Sequence, residues 1–189
     1  MTGAMTDEVQ TDAKARMQKA IEATRREFAS LRTGRASPGL LEQIRVDYYQ
    51  TPTPINQLAT VSVPEPRLLV IQPWDKSVAR EIERAILKSD LGLVPSSDGM
   101  VIRLPIPSLT EERRRDLVKL ARKHAEEGRV AIRNLRREAK EMLEQFEKDG
   151  DISEDENRRG LDRLQHLTDD MIAQLDRLLH TKEQEIMEV

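Results

Sequence analysis

The stretch LTEERRRDLVKLARKHAEEGRVAIRNLRREAKEMLEQFEK, from Leu109 to Lys148, decides the fold. It predicts one long helix, because apolar and small side chains recur at spacings of three and four residues. A helix of this length would extend roughly 60 Å, more than one small domain needs for its core. The predicted apolar seam consists of Leu117, Ala121, His124, Gly128, Ala131, Leu135, Met142 and Phe146.

The opposite side of this predicted helix is basic. Eleven basic and four acidic residues lie between Arg113 and Lys140, which gives a formal charge of +7. Arginine binds phosphate with a planar fork of donors, so this pattern favours an RNA or DNA backbone as the partner. The alternative is a solvated face on which Glu126 and Glu138 pair along the helix. The basic stripe comprises Arg115, Arg122, Arg129, Arg133, Arg136 and Lys140, with Lys119 and Arg137 at its edge.

Composition narrows the class of protein. Charged residues are 34 % of the 189 residues and aromatic residues 3 %, which suits long helices and argues against a protein that stacks bases. Residues 141–189 contain fifteen acidic and six basic residues, so the net charge of −3 conceals a basic and an acidic segment. The sequence contains no cysteine, no apolar run of about eighteen residues and no secretory signal. We therefore expect a cytoplasmic protein without a membrane span.

Two other segments also predict long helices. Residues 6–31 repeat apolar side chains at helical spacing, and Arg25 and Arg32 share a side of this helix that the apolar residues leave free. Ser153 and Glu156 form a capping box at the start of a final helix that extends toward Ile186. Three helices with apolar stripes should pack as an antiparallel bundle. Residues 1–5 are expected to be a disordered N-terminal extension.

The segment between the first two long helices predicts a small α+β domain. Its strand candidates are residues 44–48, 59–63, 68–72 and 101–104, and a short helix contains Val78, Ile82 and Ile86. The two prolines of residues 51–54 forbid a helix and indicate a turn or an edge. The predicted fold class is therefore α+β, with residues 33–107 inserted as domain II into a bundle of residues 6–32 and 108–189, domain I. The connectors at about 33–39 and 105–107 form a hinge or a rigid neck. Their hinge candidates are Gly34, Pro38, Gly39, Pro105 and Pro107.

The residues offer little support for an enzyme. The sequence contains neither a Gly-x-x-x-x-Gly-Lys-Ser/Thr phosphate loop nor a Gly-x-Gly-x-x-Gly turn. The three histidines lack metal-ligand spacing, and His124 falls in the apolar seam, where a partly buried histidine is the simpler interpretation. The carboxylates at 154–156 and 169–170 are explained by helix capping and solvated surface. We expect no catalytic residue, no metal site and no cofactor.

Five motifs occur once each along the chain, in this order: LRTGRASP at 31–38, DYY at 47–49 followed by TPTP at 51–54, SDLGL at 89–93, LTEERR at 109–114 and RVAIRNLRR at 129–137. Together they resemble the bacterial ribosome recycling factor family. The resemblance extends from about Thr6 to Val189, and Met1–Ala4 look additional. No transit peptide is visible, so a bacterial member is the simpler expectation.

This resemblance implies an L-shaped molecule in which a three-helix bundle binds the 50S subunit and a flexible hinge bears a small β/α/β domain. It further implies that the chain acts with elongation factor G and GTP. Together they would split the post-termination 70S ribosome and release mRNA and deacylated tRNA. It implies that the chain is a monomer and that the chemical step, hydrolysis of GTP, takes place in elongation factor G. The positions that map onto contacts with 23S rRNA are Arg32, Arg35, Arg114, Arg129, Arg133 and Arg136.

Two other classes of function stay open at this point. A coiled-coil interaction protein would pair its apolar seams with another chain and leave the basic stripe solvated, and it would dimerise with rising concentration. A hydrolase built on clustered carboxylates would need activity without a partner, and the sequence gives it little support.

Overall fold

The computed structural model describes residues 2–31 and 33–188. Its α-helices are α1 (Thr2–Ser30), α2 (Ala79–Lys88), α3 (Glu111–Lys148) and α4 (Glu154–Met187). Its strands are β1 (Arg45–Tyr48), β2 (Thr51–Pro54), β3 (Ala59–Glu65), β4 (Leu68–Pro73), β5 (Ser96–Ser97) and β6 (Ile102–Pro105). The α+β class with three long helices is confirmed. None of the described helices is long and apolar enough to cross a bilayer.

The chain forms two compact units. The helical unit contains residues 1–28 and 116–184, and the mixed unit contains residues 29–115 and 185–189. The boundaries between the units fall inside α1, α3 and α4 and not at the connectors. The reason is that the ends of these helices pack within the mixed unit. Arg114, for example, donates a hydrogen bond to the carbonyl of Met187 at 3.4 Å. Movement of one domain about the connectors stays a prediction.

In the helical unit, α3 runs antiparallel to both other helices. Arg16 of α1 lies 2.9 Å from Glu138 of α3, whereas His124, further back along α3, lies beside Glu27. The acidic partners of α3 on α4 likewise run in reverse order, as described below. The largest fully buried side chains of this unit are Met17, Leu117, Ile132, Leu143 and Leu164.

The three helices approach each other closely at Gly128. A Cβ atom placed there would lie 2.5 Å from Thr24 Oγ1 and 3.2 Å from a methyl group of Leu175. No larger side chain fits without displacing one of these buried neighbours. The sequence analysis placed Gly128 in the apolar seam, and this position is buried.

Two expectations for the long helices are wrong. Residues 2–5 are helical and not disordered: α1 begins at Thr2, and the buried Thr6 hydroxyl donates to the Gly3 carbonyl at 3.0 Å. Met142 is 45 % exposed, whereas its neighbour Leu143 is fully buried. The buried arc of α3 is rotated from the predicted seam, because partners lie on two sides of the helix.

The start of α4 follows the prediction. Ser153 Oγ accepts a hydrogen bond from the Glu156 backbone N–H at 3.1 Å, and Glu156 Oε2 accepts one from the Ser153 N–H at 2.8 Å. This reciprocal pair is the capping box, and it satisfies backbone donors that the first helical turn leaves unpaired.

The mixed unit is built on an antiparallel sheet of order β3-β4-β6-β5 and a separate β1-β2 hairpin. Its core includes Leu69, Ile71 and Ile102 from the sheet and Ile82 and Ile86 from α2. The sequence predicts a turn or an edge at residues 51–54, and these residues form the edge strand β2; it does not predict β5. Two prolines occur in β2, and an edge strand tolerates them because it need not donate on both sides, while β5 has only two residues.

Both connectors are tied to the turn between β3 and β4. The N–H of Ala36 donates to the carbonyl of Pro66 at 2.8 Å, and the N–H of Ile106 donates to that of Arg67 at 2.8 Å. Gly34, just before the first of these bonds, has a φ of +77°. That backbone conformation favours glycine, so Gly34 is the hinge candidate with the clearest structural requirement.

Candidate nucleic-acid interface

Two rows of basic side chains on α3 have different surroundings. Arg122, Arg129 and Arg136 are spaced by seven residues, and all three face α4. Arg122 Nε lies 2.7 Å from Glu183 Oε1, and Arg129 Nη2 lies 2.6 Å from Asp176 Oδ1. Arg136 donates to the side-chain oxygen of Gln165 at 3.1 Å. We call these three arginines the inner row, because they join α3 to α4.

Arg129 is more enclosed than Arg122, with 20 % of its side chain exposed against 64 %. Besides Asp176 it contacts Glu126 on its own helix at 3.0 Å. Burial alone would lower the pKa of Arg129, but the hydrogen bonds to the two carboxylates outweigh it and raise the pKa. This guanidinium is therefore permanently charged and held in place before any ligand arrives.

Glu126 connects the inner row to the rest of the stripe. Its Oε1 accepts a hydrogen bond from Arg133 at 3.1 Å, while its Oε2 accepts one from Arg129. The hydrogen bonds from Arg129 and Arg133 lower the pKa of Glu126. The alternative predicted from the sequence, in which acids along the helix neutralise part of the stripe, is thus present at this position.

The second row points away from the other two helices. At 100° per residue, Lys119, Lys123 and Arg137 lie opposite the buried positions Ala121 and Ala139. All three are exposed, and none forms an ion pair with a described residue. We call them the outer row. Their charges are not offset by a direct contact, so this face of α3 is the one most open to an anionic partner.

Two of the other predicted rRNA-binding arginines, Arg35 and Arg114, lie in the mixed unit. Arg35 pairs with Glu188. Arg114 is partly buried, and its Nε has no hydrogen-bond partner among the described atoms. Arg32 lies outside the described residues. Arg129, Arg133 and Arg136 therefore lie on the part of α3 that belongs to the helical unit, whereas Arg35 and Arg114, the latter in the first turn of α3, belong to the mixed unit.

The histidines were the other candidates for chemistry considered in the sequence. His124 is mostly buried, 3.6 Å from Glu127 and 3.9 Å from Glu27. Within the described ranges, 2–31 and 33–188, no three histidine or carboxylate side chains are placed to hold a metal ion.

The acidic partners on α4 were not predicted from the sequence. Asp176 and Glu183 were counted only as part of an acidic segment, yet they are spaced by seven residues, as Arg122 and Arg129 are. This matched spacing was the available signal. It becomes informative only when the register of α4 against α3 is known.

Comparisons with known proteins agree on one family. The family model described as "Ribosome recycling factor" matches residues 24–187. The ribosome-recycling factor of Pelotomaculum thermopropionicum is 61 % identical over 185 residues, which cover 98 % of this chain and all of the relative. That of Geobacillus kaustophilus is 59 % identical over the same length and coverage.

Two solved structures are similar over nearly the whole chain. A solution structure of a ribosome recycling factor is 49 % identical, with a TM-score of 0.79, and the match covers 97 % of this chain and 98 % of that one. A model of the T. thermophilus ribosome recycling factor, bound with E. coli elongation factor G to the E. coli post-termination complex, is also 49 % identical. Its TM-score is 0.70, with coverage of 97 % and 99 %.

Proposed function

Because this chain belongs to the ribosome recycling factor family, we propose that it splits the post-termination 70S ribosome into subunits with elongation factor G and GTP. The products are free subunits, mRNA and deacylated tRNA. The observation that supports this most directly is the 49 % identical relative described with elongation factor G on a post-termination complex. We propose that the chain acts in the cytoplasm, because the ribosome is its proposed substrate. We also propose that it acts as a monomer, as the family resemblance implies.

The helical unit is the proposed contact with 23S rRNA of the 50S subunit. The outer face of α3 offers exposed charges that no described acid offsets, and Arg133 adds a guanidinium that is 46 % exposed. Phosphate contacts of this kind position a protein on RNA without reading its sequence. Arg129 and Arg136 also belong to the proposed interface, at its border with α4. Arg32, Arg35 and Arg114 are proposed contacts on the resemblance alone.

The mechanism requires stiffness more than chemistry. Helix α3 has 38 residues, so it is roughly 57 Å long. The inner row forms polar contacts between α3 and α4. We propose that this helix transmits force, that GTP hydrolysis occurs in elongation factor G, and that the connectors bend. Of their hinge candidates Gly34, Pro38, Gly39, Pro105 and Pro107, we propose Gly34 and Pro107 as the positions nearest to the bends. The hydrogen bonds of Ala36 and Ile106 to the β3–β4 turn favour a bend before Ala36 and after Ile106.

Light scattering of post-termination 70S complexes tests the function. The chain, elongation factor G and GTP are added together and then with each omitted in turn. A fall in scattering that requires all three supports the proposal. No fall, in complexes that an established recycling factor splits, rejects it, and sedimentation with 50S subunits then distinguishes a ribosome binder from a coiled-coil protein.

A further inference from the structure

A groove between α1 and α4 lies on the opposite side of α4 from the inner row. Its volume is about 220 Å³. Ile21, which is buried, and Leu178 contribute apolar surface. The polar side chains that line it are Arg25, Gln174, Arg177 and Thr181. The groove therefore combines two guanidinium groups, an amide and a hydroxyl around an apolar floor.

Arg177 differs from the other arginines of its helix. Arg158 and Arg159 both pair with Asp155, and Arg163 pairs with Asp7 of α1 at 2.7 Å. Arg177 forms no ion pair with any residue that the structure describes, although it lies in the acidic part of the chain. An arginine that is unpaired among so many carboxylates leaves its charge available.

Arg25 forms only a weak, exposed ion pair. Its Nε lies 3.2 Å from Glu22 Oε1 one turn earlier, and more than half of each side chain is exposed. Exposed pairs at this spacing are worth a few tenths of a kcal/mol, so an incoming anion can compete for the guanidinium. Arg25 was also noted in the sequence as lying on a side of α1 that the apolar residues leave free.

The remaining polar side chains, Gln174 and Thr181, each offer a hydrogen-bond donor and carry no negative charge. The side chains of Gln174 and Thr181 form no hydrogen bond with another residue in the described part of the chain. No carboxylate lines the groove. A ligand with several negatively charged oxygens would meet all four polar side chains, and bidentate binding by arginine favours phosphate.

We propose that this groove binds a backbone phosphate of ribosomal RNA, as a second contact beyond the outer face of α3. The inference rests on the proposed function. The apolar floor would lie against the adjoining ribose. The helical unit would then hold RNA at two edges, with α4 between them, and the orientation of this unit would be restricted more than by one row of contacts.

The test is binding of the full chain to 50S subunits over a range of salt concentrations. Arg25→Gln with Arg177→Gln should weaken binding about tenfold at ~0.1 M salt and reduce the slope of log K against log salt by about 1, the value for one phosphate. Arg158→Gln with Arg159→Gln is the matched control, since it removes the same charge, and it should bind as the unmodified chain does. Equal behaviour of the two variants would overturn the inference.

Two further variants separate the possible failures. Arg133→Gln with Arg137→Gln tests the outer face: if it also binds normally, the proposed RNA docking fails as a whole, whereas weakened binding confines the failure to the groove.

Arg25→Lys with Arg177→Lys keeps both charges and should retain the salt slope. A lower melting temperature with an equal loss of binding in this lysine variant would show a structural role. Normal 50S binding with slower splitting in the glutamine variant would assign the groove to a protein partner. Either result rejects the phosphate site.

Discussion

The inner and outer rows of α3 place the same kind of charge in opposite surroundings. Arg129 is 20 % exposed and contacts Asp176 and Glu126, while Arg137 is exposed and has no acidic partner among the described residues. The inner row is engaged in contacts between α3 and α4, and the outer row is free to meet an external anion. A count of basic residues along a helix therefore overstates the charge that is available to RNA.

The largest effect on stability should come from the packing beneath the inner row. Gly128→Val places branched atoms against Thr24 and Leu175, where even a Cβ would lie 2.5 Å from Thr24 Oγ1. Overpacking of this kind typically costs about 1–3 kcal/mol, and we expect a value near the upper end. Denaturant unfolding measures it.

Gly3→Val is the control for this substitution. It makes the same change in α1, at a position where nothing lies within 4 Å of an added Cβ. Equal unfolding free energies for the two variants would show that α3 does not need the close approach at Gly128.

A smaller loss should follow when an inner pair is broken. Asp176→Asn leaves Arg129 with Glu126 as its remaining carboxylate, and we expect the free energy of unfolding to fall by up to about 1 kcal/mol. A double-mutant cycle with Arg129→Gln measures the coupling of the two side chains. Asp170→Asn, on the same helix and without an ion-pair partner among the described residues, should have no effect. A coupling energy near zero would remove the distinction between the rows.

The shared carboxylate of Glu126 predicts a dependence on pH. Its pKa is lowered in the folded chain from the ordinary value of 4.5 by Arg129 and Arg133. Its contribution to stability is therefore present above the unfolded pKa and is lost as pH falls through the lower folded value. The difference in unfolding free energy between the unmodified chain and Glu126→Gln should shrink on acidification below about pH 4.5. A difference that grows at low pH would contradict the assigned hydrogen bonds.

The ends of the helices could be predicted from the sequence, whereas the contacts between elements could not. The end of α3 at Lys148 and the capping box at Ser153 follow from local rules, because caps and periodicity depend on neighbouring residues. The two prolines of residues 51–54 fit either a turn or an edge strand, and only the pairing with β1 decides in favour of the strand β2.

The candidate site was predicted in outline and not in detail. The basic face of α3 is visible from its spacing, but the pairing of Arg122 and Arg129 with Glu183 and Asp176 depends on how α4 is aligned along α3. That alignment is set by buried residues such as Leu175 and by the space at Gly128. Periodicity within one helix contains no information about it.

The smallest effect on stability, with the largest on binding, is expected for the outer row. Arg137→Gln changes an exposed side chain without an ion pair among the described residues, so the free energy of unfolding should stay within about 0.5 kcal/mol. Its affinity for 50S subunits should fall, and the slope of log K against log salt should drop by about 1. Arg122→Gln is the matched comparison, because Arg122 is engaged with Glu183: it should lose more stability and less of the salt slope. If Arg122→Gln instead lost the greater share of the slope, the inner row would exchange its carboxylates for phosphates on binding, and the two rows would form one RNA-binding face.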